Sequence, residues 1–272
     1  MKVVIMKDYE DVSDWTAKYI RKKILEFQPS NESYFVLGLS SGTQHLGLYR
    51  KLIELYDRGL ISFKYVKTFN TCEYAGLEKD STESTTNFMW NNFFQDIDIT
   101  GENVNIMDGN AEDLDQECAD YEAKIKEAGG IHLFVAGISA NGDVGCNETG
   151  SSLVSRTRVK SQSVEVIRRN AKFFGGDIRL VPTRALTVGI ATVMEAREVI
   201  LLVTGEEQAA NVKNAIERGV NHICPLSAFQ QHEHCVFVLD ENATLDLRVR
   251  TVAHYKGLCA LTHFVDFEEN ID

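Results

Sequence analysis

The chain has 272 residues, 44% of them hydrophobic, enough to build the core of one large α/β domain. Its 40 acidic and 28 basic residues leave a formal charge of −12, which excludes a nucleic-acid surface of clustered Lys and Arg but leaves room for a small anion where a few cations converge. No stretch approaches the ~18 apolar residues of a membrane-spanning helix, and six scattered cysteines without a CxxC spacing read as reduced, intracellular thiols.

The first residues, MKVVIMKDYEDVSDW, hold too short an apolar run for a signal peptide, so a cytosolic protein is expected. Val3 to Met6 reads as a first strand. A helix follows from about Asp11 to Phe27, striped by Val12, Trp15, Tyr19, Ile20, Ile24 and Phe27, with Pro29 as its stop. Tyr34 to Leu39 is a second strand, running into Ser40-Ser41-Gly42-Thr43-Gln44 and then a helix marked by Leu48, Leu52 and Leu55. A strand, small-residue loop and helix in that order can hold a phosphate or carboxylate on free backbone N–H groups, though a lone glycine more often marks an ordinary βα turn. Tyr65 to Asn70 makes a third strand whose end delivers Thr71, Cys72, Glu73 and Tyr74, and Asn103 to Met107 makes a fourth. Leu114, Cys118, Tyr121 and Ile125 then share one helical face, closed by Gly129-Gly130.

Ile131 to Ala136 is an apolar run of the kind buried on both faces of a parallel sheet. It breaks into a loop with Gly137, Gly142, Gly145 and Gly150 interleaved with Asn141, Asp143, Asn147 and Glu148. Open α/β sheets bind ligands beyond the carboxyl ends of their strands, so this loop is the first candidate for chemistry. Next, Ser151 to Lys160 sets Arg156, Arg158 and Lys160 at alternating positions, which on a strand puts three cations on one face, either an anion site or a solvated face paired with carboxylates. Ser161 to Arg184 is polar with little periodicity and is expected to be a mobile cover over a site. Glu198 to Val203 and Cys235 to Leu239 are further buried strands, with a helix through Ala209, Val212 and Ile216 between them. His232, His234 and Cys235 lack the partner cluster a metal needs, so no metal is expected. The alternation of strands and helices over 1–272 predicts a single, doubly wound, mostly parallel α/β domain, with a loosely ordered tail from about 262 to 272.

Several segments resemble the glucosamine-6-phosphate deaminase family in its animal form: FKYVKTFN at 63–70, FMWNNFF at 88–94, GSSLVSRTRVK at 150–160, and ALTVG at 185–189 with the VMEAREV that follows. The resemblance implies a Rossmann-like fold, a cytosolic homo-hexamer or mixed oligomer with an active relative, no cofactor, and a site for phosphorylated amino sugars. It also implies a reaction in which the sugar ring opens, a proton moves between C2 and C1, and ammonia leaves to give fructose 6-phosphate.

Matched position by position, the reaction motifs depart from the family. Its strand-end Asp-Glu-Tyr, whose Asp is the base, reads Cys72-Glu73-Tyr74 here. Its loop Asp-Gly-His-Ile-Ala-Phe-Asn-Glu-Pro, with a ring-opening His supported by Asp and Glu, reads Asn141-Gly142-Asp143-Val144-Gly145-Cys146-Asn147-Glu148-Thr149, so only Glu148 survives of that trio. The phosphate loop keeps Ser41, Gly42 and Thr43 but continues with Gln44 and His45 where the family has Thr-Pro. Lys172 stands for an expected Arg and Gln208 for an expected Lys. The residues the family uses for an effector at subunit contacts match at Ser151, Ser152, Arg158 and Lys160, with His254 in place of an aromatic. A positioned acid or base contributes ~10² to 10⁴-fold, so these replacements point to a regulatory or sugar-phosphate-binding member with impaired catalysis. The alternative is a working deaminase or isomerase that uses Cys72, Asp143 and Glu148 in unusual roles.

Overall fold

The computed structural model describes residues 1–78, 80–139 and 141–262; apart from Thr262, the tail expected to be loose falls outside them. The strands are β1 (Lys2–Met6), β2 (Phe35–Leu39), β3 (Val66–Asn70), β4 (Cys72–Tyr74), β5 (Val104–Asn105), β6 (Leu133–Gly137), β7 (Arg158–Ser161), β8 (Arg184–Thr187), β9 (Glu198–Val203) and β10 (Cys235–Asp240). The helices are α1 (Tyr9–Phe27), α2 (Leu46–Asp57), α3 (Thr85–Asn92), α4 (Leu114–Glu127), α5 (Val164–Asn170), α6 (Ile190–Met194), α7 (Ala209–Glu217) and α8 (Val249–Thr262).

Seven strands form one sheet in the order β1-β10-β9-β6-β2-β3-β5, every neighbouring pair parallel. The run singled out in the sequence, β6, sits at its centre. Strand periodicity divides the core accordingly: Phe134 and Ala136 face one hydrophobic layer with Tyr121, Leu201 and Phe237, while Leu133 and Val135 face the other with Trp15, Leu37 and Val238. Gly38 in β2 admits the Phe134 ring, since a Cβ there would lie 2.5 Å from Phe134 Cδ2. The parallel, helix-covered sheet is the fold class expected from the alternation of elements.

Helix α1 ends at Phe27 as expected, with Gln28 as its cap: a left-handed φ of 54° lets the Gln28 N–H donate to Ile24 O, one residue before Pro29. Three local expectations need correction. The strand expected over Asn103–Met107 pairs only at Val104–Asn105, because β5 is the sheet edge and meets β3 at two registered positions. Within Ser151–Lys160 only Arg158 onward is strand. There β7 pairs antiparallel with β8, and β8 with β4, in a separate three-stranded sheet. The segment read as an irregular cover contains α5, capped by Ser163 Oγ accepting from Val166 N, and a 3-10 turn at Ala171–Phe174.

Candidate active site

The order of the large sheet reverses between β2 and β6. From β2 the chain steps outward through β3 to β5, then returns to the other flank of β2 as β6 and continues through β9 to β10. Loops leaving β2 and β6 part in opposite directions, which opens a crevice at their carboxyl ends. A cavity of about 830 Å³ occupies that crevice, walled by the loops after β2, β6 and β9, by β4, and by the 162–173 segment.

On the β2 side, Gly42 turns at φ 120°, and a Cβ there would lie 2.8 Å from Gln44 Oε1, so glycine is what lets the Gln44 amide fold over the loop. Ser41 Oγ shares a hydrogen bond with Thr85 Oγ1 at 3.1 Å. Behind the loop, His45 is fully buried against Gly137, and neither ring nitrogen has a well-placed partner. Burial pushes its pKa down to about 4, offset only in part by the Ser41 and Gly42 backbone, so the ring is neutral at pH 7.

Strand β4 carries the next side chains. Glu73 accepts from Tyr74 N, Thr85 N, Thr86 N and Thr86 Oγ1 at 2.8 to 3.2 Å, which clamps β4 to the first turn of α3. Burial nevertheless pushes the Glu73 pKa up. On either side of it, Cys72 and Tyr74 line the cavity, and Asn170 Nδ2 donates to the Tyr74 hydroxyl at 3.0 Å.

The central loop is held by its own polar groups. Ser139 Oγ donates to Asp143 Oδ2 at 2.6 Å and accepts from Asp143 N, while Arg169 Nη2 lies 3.8 Å from the same carboxylate oxygen. Burial outweighs both partners and raises the Asp143 pKa. Asn147 donates to Val144 O and Val188 O and accepts from Arg158 Nη2 at 2.9 Å. Glu148 accepts from Ser163 N at 3.2 Å, with Lys160 Nζ 3.6 Å away. Cys146 lies beside Cys72 in the cavity wall, close enough for each thiol to shift the titration of the other.

The structure therefore gathers Cys72, Asp143, Glu148, the 41–44 loop, Lys172 and Gln208 around one cavity. Asn141 lies outside its wall, exposed and donating to Glu165 Oε1. Gln208 is buried: its Nε2 donates to Ser139 O and its Oε1 accepts from Asn211, so it ties the β9 loop to the β6 loop. Lys172 Nζ stands 4.8 Å from the Phe173 ring centroid.

Two wall residues escaped the sequence reading. Arg169 reaches the cavity with a buried Nη1 that has no partner, and the Arg168-Arg169 pair in an otherwise polar stretch was the available signal. Cys146 was visible only as a second cysteine in a rewritten motif.

The three alternating cations separate. Arg156 pairs with Glu195 in a two-pronged contact, Arg158 turns to Asn147 and Lys160 to Glu148, so only the last two share the face that the spacing suggested. Ser151 is buried with its Oγ unpartnered, and Ser152 Oγ accepts from Val154 N. His254 is exposed on α8, which packs on edge strand β1. No hydrogen bond or ion pair among the described residues joins His254 to the other four. No cluster of three or more His, Cys, Asp or Glu among the described residues is arranged to hold a metal ion, and no described helix is long and apolar enough to cross a membrane.

The chain is 57% identical over 258 residues to glucosamine-6-phosphate deaminase 1 of Homo sapiens, covering 95% of this chain and 89% of that protein. To glucosamine-6-phosphate deaminase 2 of Xenopus tropicalis it is 56% identical, covering 95% and 94%. A solved monomeric glucosamine-6-phosphate deaminase superposes with a TM-score of 0.85 at 34% identity, covering 90% of this chain and all of that one. No family model matches the chain.

Proposed function

The chain belongs to the glucosamine-6-phosphate deaminase family, and from that membership we propose that it binds phosphorylated amino sugars in the β2–β6 cavity with its deamination chemistry disabled. The observation that carries this reading is the pair Cys72 and Asp143. At the position of the family's base stands a thiol beside a second thiol, and at the position of its ring-opening His stands a buried carboxylate held by Ser139. A carboxylate in that place accepts hydrogen bonds but cannot alternate donor and acceptor roles as an imidazole does unless it is protonated. Losing a base and an acid at ~10² to 10⁴-fold each removes most of the family's rate enhancement.

Binding is supported by what stays. The cavity has a volume of about 830 Å³, Arg169 and Lys172 flank it as cations, and the 41–44 loop has its hydroxyls and glycine. Replacing the expected Lys by Gln208 weakens the phosphate end without emptying it. None of the six cysteines, all among the described residues, is in a disulfide, which supports a reducing, cytosolic setting. Assembly with copies of itself or with an active relative is supported by Val154 and Val249, left 80% and 87% exposed near the effector-like segment and at the start of α8. In such an assembly the protein would act by supplying effector sites and contacts rather than turnover.

The test is ammonia release from glucosamine 6-phosphate by the purified chain, run beside an active family member, together with a thermal-shift titration of the same sugar. The expected result is a ligand-dependent rise in Tm with turnover more than ~100-fold below the active protein. Turnover within that factor, abolished by Glu148→Gln, would establish the competing reading. One observation favours that alternative: the Cys146 thiol holds the Cys72 pKa below the ordinary thiol range, which gives Cys72 some character as a base.

A further inference from the structure

Two cysteines of the cavity wall, Cys72 on β4 of the small sheet and Cys146 on the loop after β6, are brought together by a shared anchor. Cys72 is the β4 residue registered opposite Thr187 of β8, and Cys146 N donates to Thr187 Oγ1 at 3.1 Å. Gly145, at φ 60°, makes this approach possible, because a Cβ there would sit 2.9 Å from Thr187 Oγ1. Both side chains line the cavity, so small solutes reach them, and Thr71 Oγ1 lies 3.8 Å from Cys72 Sγ. The family motif has Asp and Phe at these two positions. In this chain both are cysteine, and the fold places the pair side by side against Thr187 in the cavity wall.

We propose that Cys72 and Cys146 form a peroxide-reactive dithiol, with Cys72 as the attacking sulfur and Cys146 as the resolving one. Cys72, as thiolate, attacks one oxygen of a hydroperoxide. The O–O bond breaks, Cys72 becomes a sulfenic acid, and for hydrogen peroxide the departing hydroxide takes up the equivalent of the proton that Cys72 released. The Cys146 sulfur then attacks the sulfenic sulfur. The S–O bond breaks, and the hydroxyl leaves with the Cys146 proton as water. Two electrons pass from the sulfurs to the peroxide, giving one disulfide and two waters.

The division of roles follows from the surroundings of Cys72: Thr71 Oγ1 donates to its Sγ, a bond that favours a thiolate there. The neighbouring Cys146 thiol, first, and Thr71 hold the Cys72 pKa below the ordinary thiol range against burial and the Glu73 carboxylate, while Cys72 and burial raise that of Cys146. Burial pushes the remaining thiols up, Cys118 to about 11, Cys235 to about 12, and Cys224 and Cys259 in the same direction. A thiolate reacts with peroxide where a thiol does not, so Cys72 stands apart from the other five. The step uses the cavity as an entry path and does not rest on the sugar-phosphate reading of that cavity.

The experiment is a peroxide titration of the full reduced chain, followed by alkylation with N-ethylmaleimide, proteolysis and mass-spectrometric mapping. The expected product is a crosslinked Cys72–Cys146 peptide two hydrogens lighter than its parts. It forms roughly ten times faster than any oxidation at Cys224 or Cys259 and is reversed by dithiothreitol. With Cys146→Ser, Cys72 instead yields a dimedone adduct and no crosslink; with Cys72→Ser, Cys146 stays alkylatable. The wild-type map alone is decisive: if Cys72 and Cys146 remain free while Cys224 or Cys259 oxidises, the proposal is overturned. Equal oxidation of Cys146 in Cys72→Ser overturns the assignment of roles.

Discussion

Arg158, on the small sheet, donates through Nη2 to Asn147 Oδ1, on the central loop, at 2.9 Å. This bond completes the Asn147 side chain, whose Nδ2 already donates to two backbone carbonyls, and couples the effector-like segment to the rewritten reaction loop. Removing the guanidinium leaves a buried acceptor unpaired, so Arg158→Ala is expected to cost about 1 to 2 kcal/mol. A double-mutant cycle with Asn147→Ala in urea unfolding checks it. The two changes should fall short of additivity by about 1 kcal/mol, and strict additivity would mean that the bond carries no energy.

Glu73 caps α3 from outside the helix. Truncation in Glu73→Ala orphans the Thr85 and Thr86 amides together and is expected to lower stability by about 2 kcal/mol, with faster hydrogen exchange confined first to Thr85–Asn92. Glu73→Gln keeps an acceptor and sheds a charge that burial disfavours, so its cost should be distinctly smaller. Equal losses for the two variants would contradict that account of the clamp.

His45 supplies a pH dependence. Its folded pKa of about 4 lies below the ordinary 6.5, so the unfolded chain binds the proton more readily. The associated stability is fully present above pH 6.5 and is lost as pH falls toward 4, amounting to about 2 kcal/mol for this group between pH 7 and 5. Urea titrations at pH 7, 6 and 5 should show His45→Leu with a shallower acid decline than wild type. The variant should not be less stable at pH 7 by the amount expected for losing a hydrogen-bonded histidine, since the ring nitrogens lack well-placed partners.

Arg169 is the cavity cation with an uncommitted donor. For glucosamine 6-phosphate, Arg169→Ala is expected to weaken binding roughly 10 to 100-fold, the range of one charge-assisted hydrogen bond to phosphate. Isothermal titration measures it. Lys172→Arg, which restores a fork to the same rim, should tighten binding, and indifference at both positions would remove the phosphate end from this wall.

The sequence showed β6, β9 and β10 nearly residue for residue, because strands buried on both faces leave unbroken apolar runs. It also pointed to the loop after β6 by its glycines. What it hid is the small sheet. A strand of three residues whose partner lies over a hundred positions away, as Cys72 lies opposite Thr187, leaves no periodicity to read. Only tertiary contact reveals that Cys72 meets Cys146, or that Arg156 turns away to Glu195 while Arg158 and Lys160 face the central loop. Likewise α5 is short and polar, so its helical register, and with it the reach of Arg169 into the cavity, could not be heard above the surrounding loop composition.

All seven strands of the large sheet run the same way, so the connections that build the cavity emerge at one rim, and turns such as Gly129-Gly130 occupy the opposite one. Folding energy is invested in the strands and the helices over them, while recognition is written in the rim. A lineage can therefore rewrite the reactive rim and keep its scaffold intact, and the turns at the far rim are where a reporter or tether can be inserted without touching what the protein recognises.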